Sequence, residues 1–305
     1  MLERQCTDWQ FTREDLKRTP SVSCGWTVER EELDRAKACS LIYSASRKLQ
    51  LPQITSASAC VYLHRFFMRH SLKEYHHYNI AATCLFFACK AEESLRKLEN
   101  FIPVIVYYAS KGNRRAPPGT SEFEKWRTVI LRTEVVLLQA LCFDMVIDHP
   151  HAALIDLATT LQLPQRLTQM AWSFIADFMR LPLCLVYLPK TTACASVVLS
   201  AKVSSSEAAD AASRLMMDSV WIEKAGVHKS AVDEIVQWIL GFYAREAQAR
   251  KASAAAAAVA SGHGSVADHS HLAGASRTTP TYSPTPPSTA SPIPHALPSP
   301  SSDLK

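Results

Sequence analysis

The chain has 305 residues, a formal net charge of +5 and 48% hydrophobic residues. This composition can bury one large or two ordinary cores, and the mild charge without long Lys/Arg runs makes nucleic acid a possible but not an indicated partner. Nine cysteines without a Cys-x-x-Cys pair, no signal-peptide core and no membrane-length apolar run predict a reduced, soluble, intracellular protein without zinc or disulfides.

Helical periodicity runs from the N-terminus to about residue 250, with little Gly and no sustained alternation of the kind strands show. Thr12 followed by Asp15 predicts a short capped helix that ends at Pro20. Two longer helices follow. Their apolar stripes are Ala38, Ile42, Ala45 and Leu49 in the first, and Ala59, Leu63, Phe66 and His70 in the second.

The third long helix is the most informative segment of the chain. Nearly every residue from Ile80 to Cys89 is apolar or small, so this helix has no polar face and is expected to be buried all round. It ends in three charges, Lys90, Glu92 and Glu93. These charges lie at a rim that faces either solvent or a partner.

A fourth helix is indicated over residues 98–105, where Pro103 predicts a kink or a late start. A loop follows at residues 117–119. Ser121 with Glu124 three residues later then reads as a capping box that opens a fifth helix.

The fifth helix carries Glu134 in an otherwise apolar seam between Ile130 and Leu138. Burying Lys90 or Glu134 without a partner would cost several kcal/mol. Either both side chains reach solvent at the rim, Lys90 on its aliphatic stem, or they form a polar pair in an apolar patch that docks another protein.

The second half of the chain repeats the first. Leu49 to Gln53 recurs identically at Leu161 to Gln165, and the same offset of 112 residues aligns 82–90 with 194–202. A period this long predicts two tandem all-helical domains built on one plan rather than a solenoid. The expected organisation is a segment with a short helix over 1–27, five-helix domains over 28–147 and 148–248, and a tail over 249–305.

The tail is rich in Ala, Ser, Thr and Pro, and eight of the seventeen prolines lie between Pro280 and Pro300. It has too few large apolar residues to offset the entropy of ordering, so the sequence predicts disorder there. Its Ser/Thr-Pro dipeptides are either sites for proline-directed kinases or chance occurrences in a biased sequence. The candidate phosphosites are Thr279, Ser283, Thr285, Ser291 and Ser299.

Motifs for catalysis are not apparent. The chain has no phosphate-binding Gly loop, nucleophile elbow, His-Glu-x-x-His or kinase catalytic set. The close histidine pairs His76–His77 and His149–His151 have no evident third ligand for a metal. We therefore expect no catalytic, cofactor or metal site.

Two tandem five-helix domains, with Phe-Ala-Cys-Lys-Ala-Glu-Glu at the end of the third helix, resemble the cyclin family. Arg35-Ala36, the run Tyr62 to Phe66 and the run Glu134 to Asp144 extend the resemblance to the first, second and fifth helices. In that family a Lys–Glu pair binds the backbone of the kinase C-helix, and the resemblance implies that Lys90 and Glu134 are this pair. The kinase-binding residues it implies are Lys90, Glu134, Phe87, Glu93, Leu138 and Phe143.

The transcriptional cyclins K, T and L are the subgroup that the chain resembles. The matching segments are Trp9-x-Phe11, Leu16-x-x-Thr19-Pro20-Ser21, Gly25, His64, His70 to Lys73 and His149-Pro150. The resemblance implies a nuclear, non-catalytic subunit in a heterodimer with a cyclin-dependent kinase that phosphorylates the RNA polymerase II C-terminal domain. No cofactor, membrane or direct nucleic-acid contact is expected.

Other cyclin types and one different class of protein share part of this pattern. A cyclin C-like Mediator subunit fits the Thr19-Pro20-Ser21 segment less well, and a cyclin for a splicing-linked kinase predicts an Arg-Ser tail that is absent. A TFIIB-type DNA-binding factor shares the two-box fold but predicts a zinc ribbon, also absent, and a strongly basic second box. Lys37 interrupts the substrate-docking run of cell-cycle cyclins. Ala91 and Pro103 depart from the usual family pattern.

Overall fold

The computed structural model describes residues 9–204 and 220–261, with side chains through Ala252. These residues form α-helices joined by loops and contain no strand, so the all-α prediction is confirmed for this part of the chain. Two 3-10 turns lie at Asp15–Lys17 and Pro182–Leu185. The α-helices are α1 (Pro20–Ser23), α2 (Val28–Lys48), α3 (Gln53–Phe66), α4 (His77–Ala91), α5 (Leu98–Ala109), α6 (Ser121–Ala140), α7 (Pro150–Thr160), α8 (Gln165–Phe178), α9 (Pro189–Val203), α10 (Val220–Lys224) and α11 (Lys229–Ser261).

The N-terminal segment differs from the expected single helix. Thr12 and Asp15 do bond to each other, through Thr12 Oγ1 and Asp15 Oδ2 at 2.7 Å, but they enclose only a 3-10 turn. Pro20 begins a helix rather than ending one. Its φ suits the first helical position, where no N–H is needed, and Thr19 Oγ1 accepts the Val22 amide at 3.3 Å as the N-cap.

Two other helix starts also differ in detail from the sequence prediction. The N-cap of α6 is Thr120, whose Oγ1 accepts the Phe123 amide at 3.3 Å, so the cap lies one residue before Ser121. Helix α5 begins at Leu98 without a late start and contains Pro103. Because proline has no N–H, the carbonyl of Glu99 lacks its donor within the helix.

The repeated pentapeptides adopt one conformation. Gln50 and Gln162 both have left-handed backbone, with φ of 53° and 49°. In each copy the next amide returns to a carbonyl five residues earlier, at 3.0 and 2.9 Å, which is the Schellman closure of a helix. Proline then caps the following helix in both copies. The internal repeat is therefore structural, since identical residues make identical turns.

Helix α4 lies at the centre of the first five-helix box, α2–α6. Every residue from Ile80 to Cys89 is buried, which confirms the all-round burial expected from its composition. Helices α2, α3, α5 and α6 pack around it. In the second box the described helices are α7–α11, and the buried α9, with Thr191 to Ala201 all enclosed, takes the corresponding place. Burial raises the pKa of the Cys84 and Cys194 thiols, so both act as small apolar groups.

The two boxes share one continuous apolar core. Polar contacts also cross between them. Glu32 on α2 accepts hydrogen bonds from Trp238 Nε1 at 2.6 Å and Arg245 Nη2 at 2.5 Å on α11. The buried His64 Nε2 lies 3.1 Å from the Met179 carbonyl at the end of α8. The domain boundaries at 28 and 148 remain predictions, since the boxes do not separate into two compact units.

Helix α11 continues to Ser261, past the point at 249 where the sequence suggested that the tail begins. Residues 252–258 are mostly alanine, the strongest helix former, which accounts for the extension. The candidate phosphosites, Thr279 to Ser299, lie outside the described residues. Within the described helices, none is both long and apolar enough to cross a bilayer.

Candidate protein-binding face

The rim of α4 brings Lys90 and Glu134 together. Lys90 Nζ donates to Glu134 Oε1 at 2.6 Å and Oε2 at 2.9 Å, joining the end of α4 to the middle of α6. The Lys90 side chain is 41% exposed and that of Glu134 only 14%. Lys90 Nζ also lies 4.7 Å from the centre of the Phe86 ring. The charges thus pair with each other at a rim that solvent reaches, and docking of another protein by this pair stays a prediction.

The turn after α4 separates the environments of Glu92 and Glu93. Glu93 has left-handed backbone with a φ of 52°, and the Ser94 amide returns to the Cys89 carbonyl at 2.8 Å in a Schellman closure. The side chain of Glu93 points to solvent, whereas that of Glu92 turns inward. Glu92 Oε1 accepts a hydrogen bond from the buried Ser58 hydroxyl at 2.6 Å. The two adjacent glutamates therefore have different roles.

Apolar side chains continue the face along α6. Leu131, Glu134, Val135 and Leu138 follow helical spacing on one side of this helix. Leu131 and Val135 are exposed, and Leu138 is half-buried. Sequence reasoning did not single out Leu131 or Val135, although the i−3 and i+1 positions relative to Glu134 could have indicated them.

Phe143 extends the apolar side chains past the end of α6. Its side chain is 66% exposed and its φ is 57°, directly after Cys142 with a φ of 52°. Left-handed backbone is rare for bulky residues, and such strain is typical of functional positions. We name the surface formed by Lys90, Leu131, Glu134, Val135, Leu138 and Phe143 the α4–α6 face.

The segment that carries Phe143 is fastened from beneath by α3. Tyr62 Oη donates to the Met145 carbonyl at 2.9 Å, and Arg65 Nη1 donates to the Asp144 carbonyl at 3.1 Å. Trp9 from the N-terminal segment donates through Nε1 to Asp144 Oδ2 at 3.1 Å. The Trp9 ring also lies 4.9 Å from the guanidinium carbon of Arg65, as a cation–π contact. These three residues position the face without being part of it.

Of the six residues proposed from the sequence, five lie at the surface around this rim and Phe87 does not. Phe87 is only 5% exposed, and its ring contacts Tyr62 edge-on at 5.3 Å between centroids. In the isolated chain Phe87 supports the Tyr62 side of the rim. Whether it contacts a partner stays a prediction.

The second box offers an internal comparison for the ion pair. At the repeat's offset, Lys90 and Glu134 correspond to Lys202 and Glu246. Glu246 accepts a hydrogen bond from Arg180 Nη2 at 2.5 Å, so this carboxylate joins the turn after α8 to α11. The Lys–Glu pair with exposed apolar neighbours is thus formed in the first box.

The close histidine pairs do not belong to a cluster of potential metal ligands in the described part of the chain. No group of three or more potential metal ligands occurs among these residues. His76 and His77 stack at 4.4 Å, and burial lowers the pKa of His77 to about 4, which keeps it neutral. A protein-binding face is what the geometry favours.

Comparisons with known proteins identify the family of the chain. Residues 9–146 match the family model "Cyclin, N-terminal domain". Cyclin pch1 of Schizosaccharomyces pombe is 36% identical over 239 residues, which is 78% of this chain and 69% of that protein. Cyclin-T1-2 of Oryza sativa subsp. japonica is 35% identical and human Cyclin-T2 is 32% identical. They match 64% and 65% of the chain, which spans 32% and 27% of their own lengths.

Solved structures show the same fold. A chain of the yeast RNA Pol II CTD kinase CTDK-1 complex matches with a TM-score of 0.59 and 16% identity, covering 77% of this chain and 72% of that one. A chain of the yeast TFIIK complex matches with a TM-score of 0.54 and 18% identity, covering 76% of this chain and 94% of that one. At such identities the likeness concerns the fold.

Proposed function

The chain belongs to the cyclin family, and we propose that it is the regulatory subunit of a cyclin-dependent kinase that phosphorylates the C-terminal domain of RNA polymerase II. The matches to Cyclin pch1 and the cyclin-T proteins support the transcriptional branch. One of the solved structures that share this fold, CTDK-1, is an RNA Pol II CTD kinase complex. The observation that carries the proposal is the Lys90–Glu134 pair on an exposed apolar face. The subunit itself is non-catalytic, and its complex with the kinase acts in the nucleus.

The α4–α6 face acts on the kinase C-helix. A protein kinase is active only when a glutamate on that helix pairs with the lysine that holds the ATP phosphates. A subunit that binds the active orientation more tightly shifts the population towards it. Lys90 donates to carbonyls of the C-helix backbone, and Glu134 accepts from its amides. Leu138 and Phe143 cover the apolar side of the helix.

Removing both charges tests this assignment. Lys90→Ala combined with Glu134→Ala is expected to weaken binding of the kinase by at least tenfold, since truncating one partner of a buried polar contact costs roughly 2–5 kcal/mol. Binding is measured by co-purification and titration with the cognate kinase, and activation by phosphate transfer to a short Ser-Pro peptide.

A second Lys–Glu pair provides the matched control. Lys17 Nζ and Glu14 Oε1 are also 2.6 Å apart, but both side chains are well exposed on the N-terminal 3-10 turn. Replacing both by alanine removes the same charges and should leave kinase binding unchanged. Equal affinities for the two double variants would place the kinase elsewhere on the chain.

A further inference from the structure

An open groove of about 710 Å³ lies between α5, the end of α2 and the loop before α6. Two tyrosines and three prolines form most of its wall: Pro103, Tyr107, Tyr108, Pro117 and Pro118. The groove shares no residue with the α4–α6 face. Among the motifs singled out in the sequence, Pro103 and the Pro117-Pro118 pair lie outside the α4–α6 face, and both line this groove.

The groove has a rigid form. The rings of Tyr107 and Tyr108 meet edge-on at 5.2 Å between centroids, and Tyr107 remains 43% exposed. The Gly112 amide closes the end of α5 on the Tyr107 carbonyl at 2.7 Å, with a φ of +85°. A side chain at Gly112 would lie 3.5 Å from the Tyr107 ring, so the turn packs directly on the tyrosine. Rings of proline and tyrosine with little freedom make a preformed surface.

The charge of the groove is wholly positive. Lys48 at the end of α2 and Arg115 in the loop are exposed and line it, and no acidic residue does. Neither cation forms an ion pair or a side-chain hydrogen bond within the described part of the chain. Two unpaired cations from separate elements beside an aromatic trough suit an extended segment that carries both prolines and a doubly charged anion. Aromatic grooves bind such segments through the polyproline II conformation.

We propose that this groove binds a phosphorylated Ser-Pro or Thr-Pro segment of the kinase substrate, the RNA polymerase II C-terminal domain. A proline of the segment packs against Tyr107, and its phosphate lies between Lys48 and Arg115. The identity of the substrate rests on the proposed function, while the chemistry of the groove does not. A segment already phosphorylated would then hold the substrate near the kinase and raise the effective concentration of the remaining sites.

Direct binding tests the groove without any kinase. The full chain is titrated into fluorescently labelled recombinant polymerase C-terminal domain, either phosphorylated beforehand or left unphosphorylated, and anisotropy is recorded. We expect the phosphorylated form to bind at least fivefold more tightly. Arg115→Glu and Tyr107→Ser should each remove most of that difference. The matched control is Lys125→Glu, which makes the same charge change at an exposed position on α6 outside the groove.

Three outcomes would overturn the proposal. One is equal binding of the two substrate forms. Another is equal affinity of Arg115→Glu and Lys125→Glu, and a third is full competition by polyglutamate, which would show a general attraction of charge. Thermal unfolding of each variant establishes that these exposed replacements leave the fold intact.

Kinase assays separate this proposal from the proposed function. Arg115→Glu and Tyr107→Ser should leave kinase binding and turnover of a short peptide unchanged, and should reduce multiple phosphorylation of the long substrate. Loss of kinase binding in Arg115→Glu would assign the groove to the kinase interface and end this proposal while the proposed function stands. Retained kinase binding after loss of Lys90 and Glu134 would contradict the proposed kinase-binding face alone.

Discussion

At the scale of single residues, Phe143 has the least favourable conformation on the α4–α6 face. Left-handed backbone costs an L-residue roughly 1–2 kcal/mol, and an exposed phenylalanine recovers little of that by burial. Cys142 shares the conformation, and the turn closes through the Phe143 amide to the Leu138 carbonyl at 3.1 Å. Such a residue is expected to contribute more to binding than to folding.

Phe143→Asn tests this trade-off. Asparagine tolerates left-handed backbone better, so we expect the free energy of unfolding to stay level or rise by up to about 1 kcal/mol. Kinase affinity should fall by about tenfold because an aromatic anchor is lost. Urea denaturation and kinase titration measure the two effects.

Gln50→Asn is the matched control for Phe143→Asn. Gln50 occupies the same kind of left-handed position, with a φ of 53°, at the end of α2. The replacement should relieve the same backbone strain and leave kinase affinity unchanged. A drop in stability for Phe143→Asn, with unaltered affinity, would show that Phe143 serves the fold instead.

At the scale of elements, the N-terminal segment acts as a strap for the face. Trp9 is 8% exposed and lies with its ring centre 4.9 Å from Arg65 and 4.8 Å from Arg69. Its indole holds Asp144, and the neighbouring Phe11 amide donates to the Leu185 carbonyl of the second box at 2.7 Å. One short segment thus joins the end of α6, in the first box, to the second box.

Trp9→Ala is expected to loosen the segment 142–146. Amide hydrogen exchange there should become faster, and kinase affinity should fall by roughly three- to tenfold while Lys90 and Glu134 stay in place. Trp26→Ala is the control, since Trp26 stacks on Arg30 at 3.9 Å away from this segment. Unchanged hydrogen exchange in Trp9→Ala would show that Trp9 does not hold the segment 142–146 in place.

The sequence predicted local features well and distant contacts poorly. The burial of α4 and the repeated turn at Leu49 to Gln53 followed from composition and identity, because both depend on neighbouring residues. The cap at Thr19 was not predicted, and the cap at Thr120 was predicted one residue late, at Ser121. In both places several neighbouring hydroxyl residues could have served as the cap. The Trp9–Asp144 contact joins residues 135 positions apart, and no pattern along one chain reveals such a pairing.

At the scale of the whole molecule, the junction between the boxes contains a polar cluster that depends on neutral histidine. The Ser58 hydroxyl donates to Glu92 and lies 2.9 Å from His149 Nε2, which therefore carries the ring proton. Burial lowers the pKa of His149. His151 beside it is buried against Trp172, and burial lowers its pKa to about 4.

These histidines predict a dependence of stability on pH. The unfolded chain takes up a proton on His151 near its ordinary pKa of 6.5, whereas the folded chain does so near 4. Stability is therefore complete above about pH 6.5 and is lost as the pH falls towards 4. His151→Phe should remove on the order of 1–2 kcal/mol of the difference in unfolding free energy between pH 8 and pH 5. An equal loss of unfolding free energy between pH 8 and pH 5 in the wild-type protein and in His151→Phe, measured by urea denaturation, would contradict this.

The mutual pairing of Lys90 and Glu134 also bears on which proteins can use this face. In the free chain each charge already has its counterpart, so the face shows almost no net charge to a passing protein. A partner that offers only acceptors can bind Lys90 but leaves Glu134 without a hydrogen-bond donor. A partner that offers only donors can bind Glu134 but leaves Lys90 without an acceptor. The start of a helix satisfies both, because its first amides are unpaired and carbonyls of the preceding loop lie close by. The ion pair thus disfavours any partner that lacks either the donor or the acceptor.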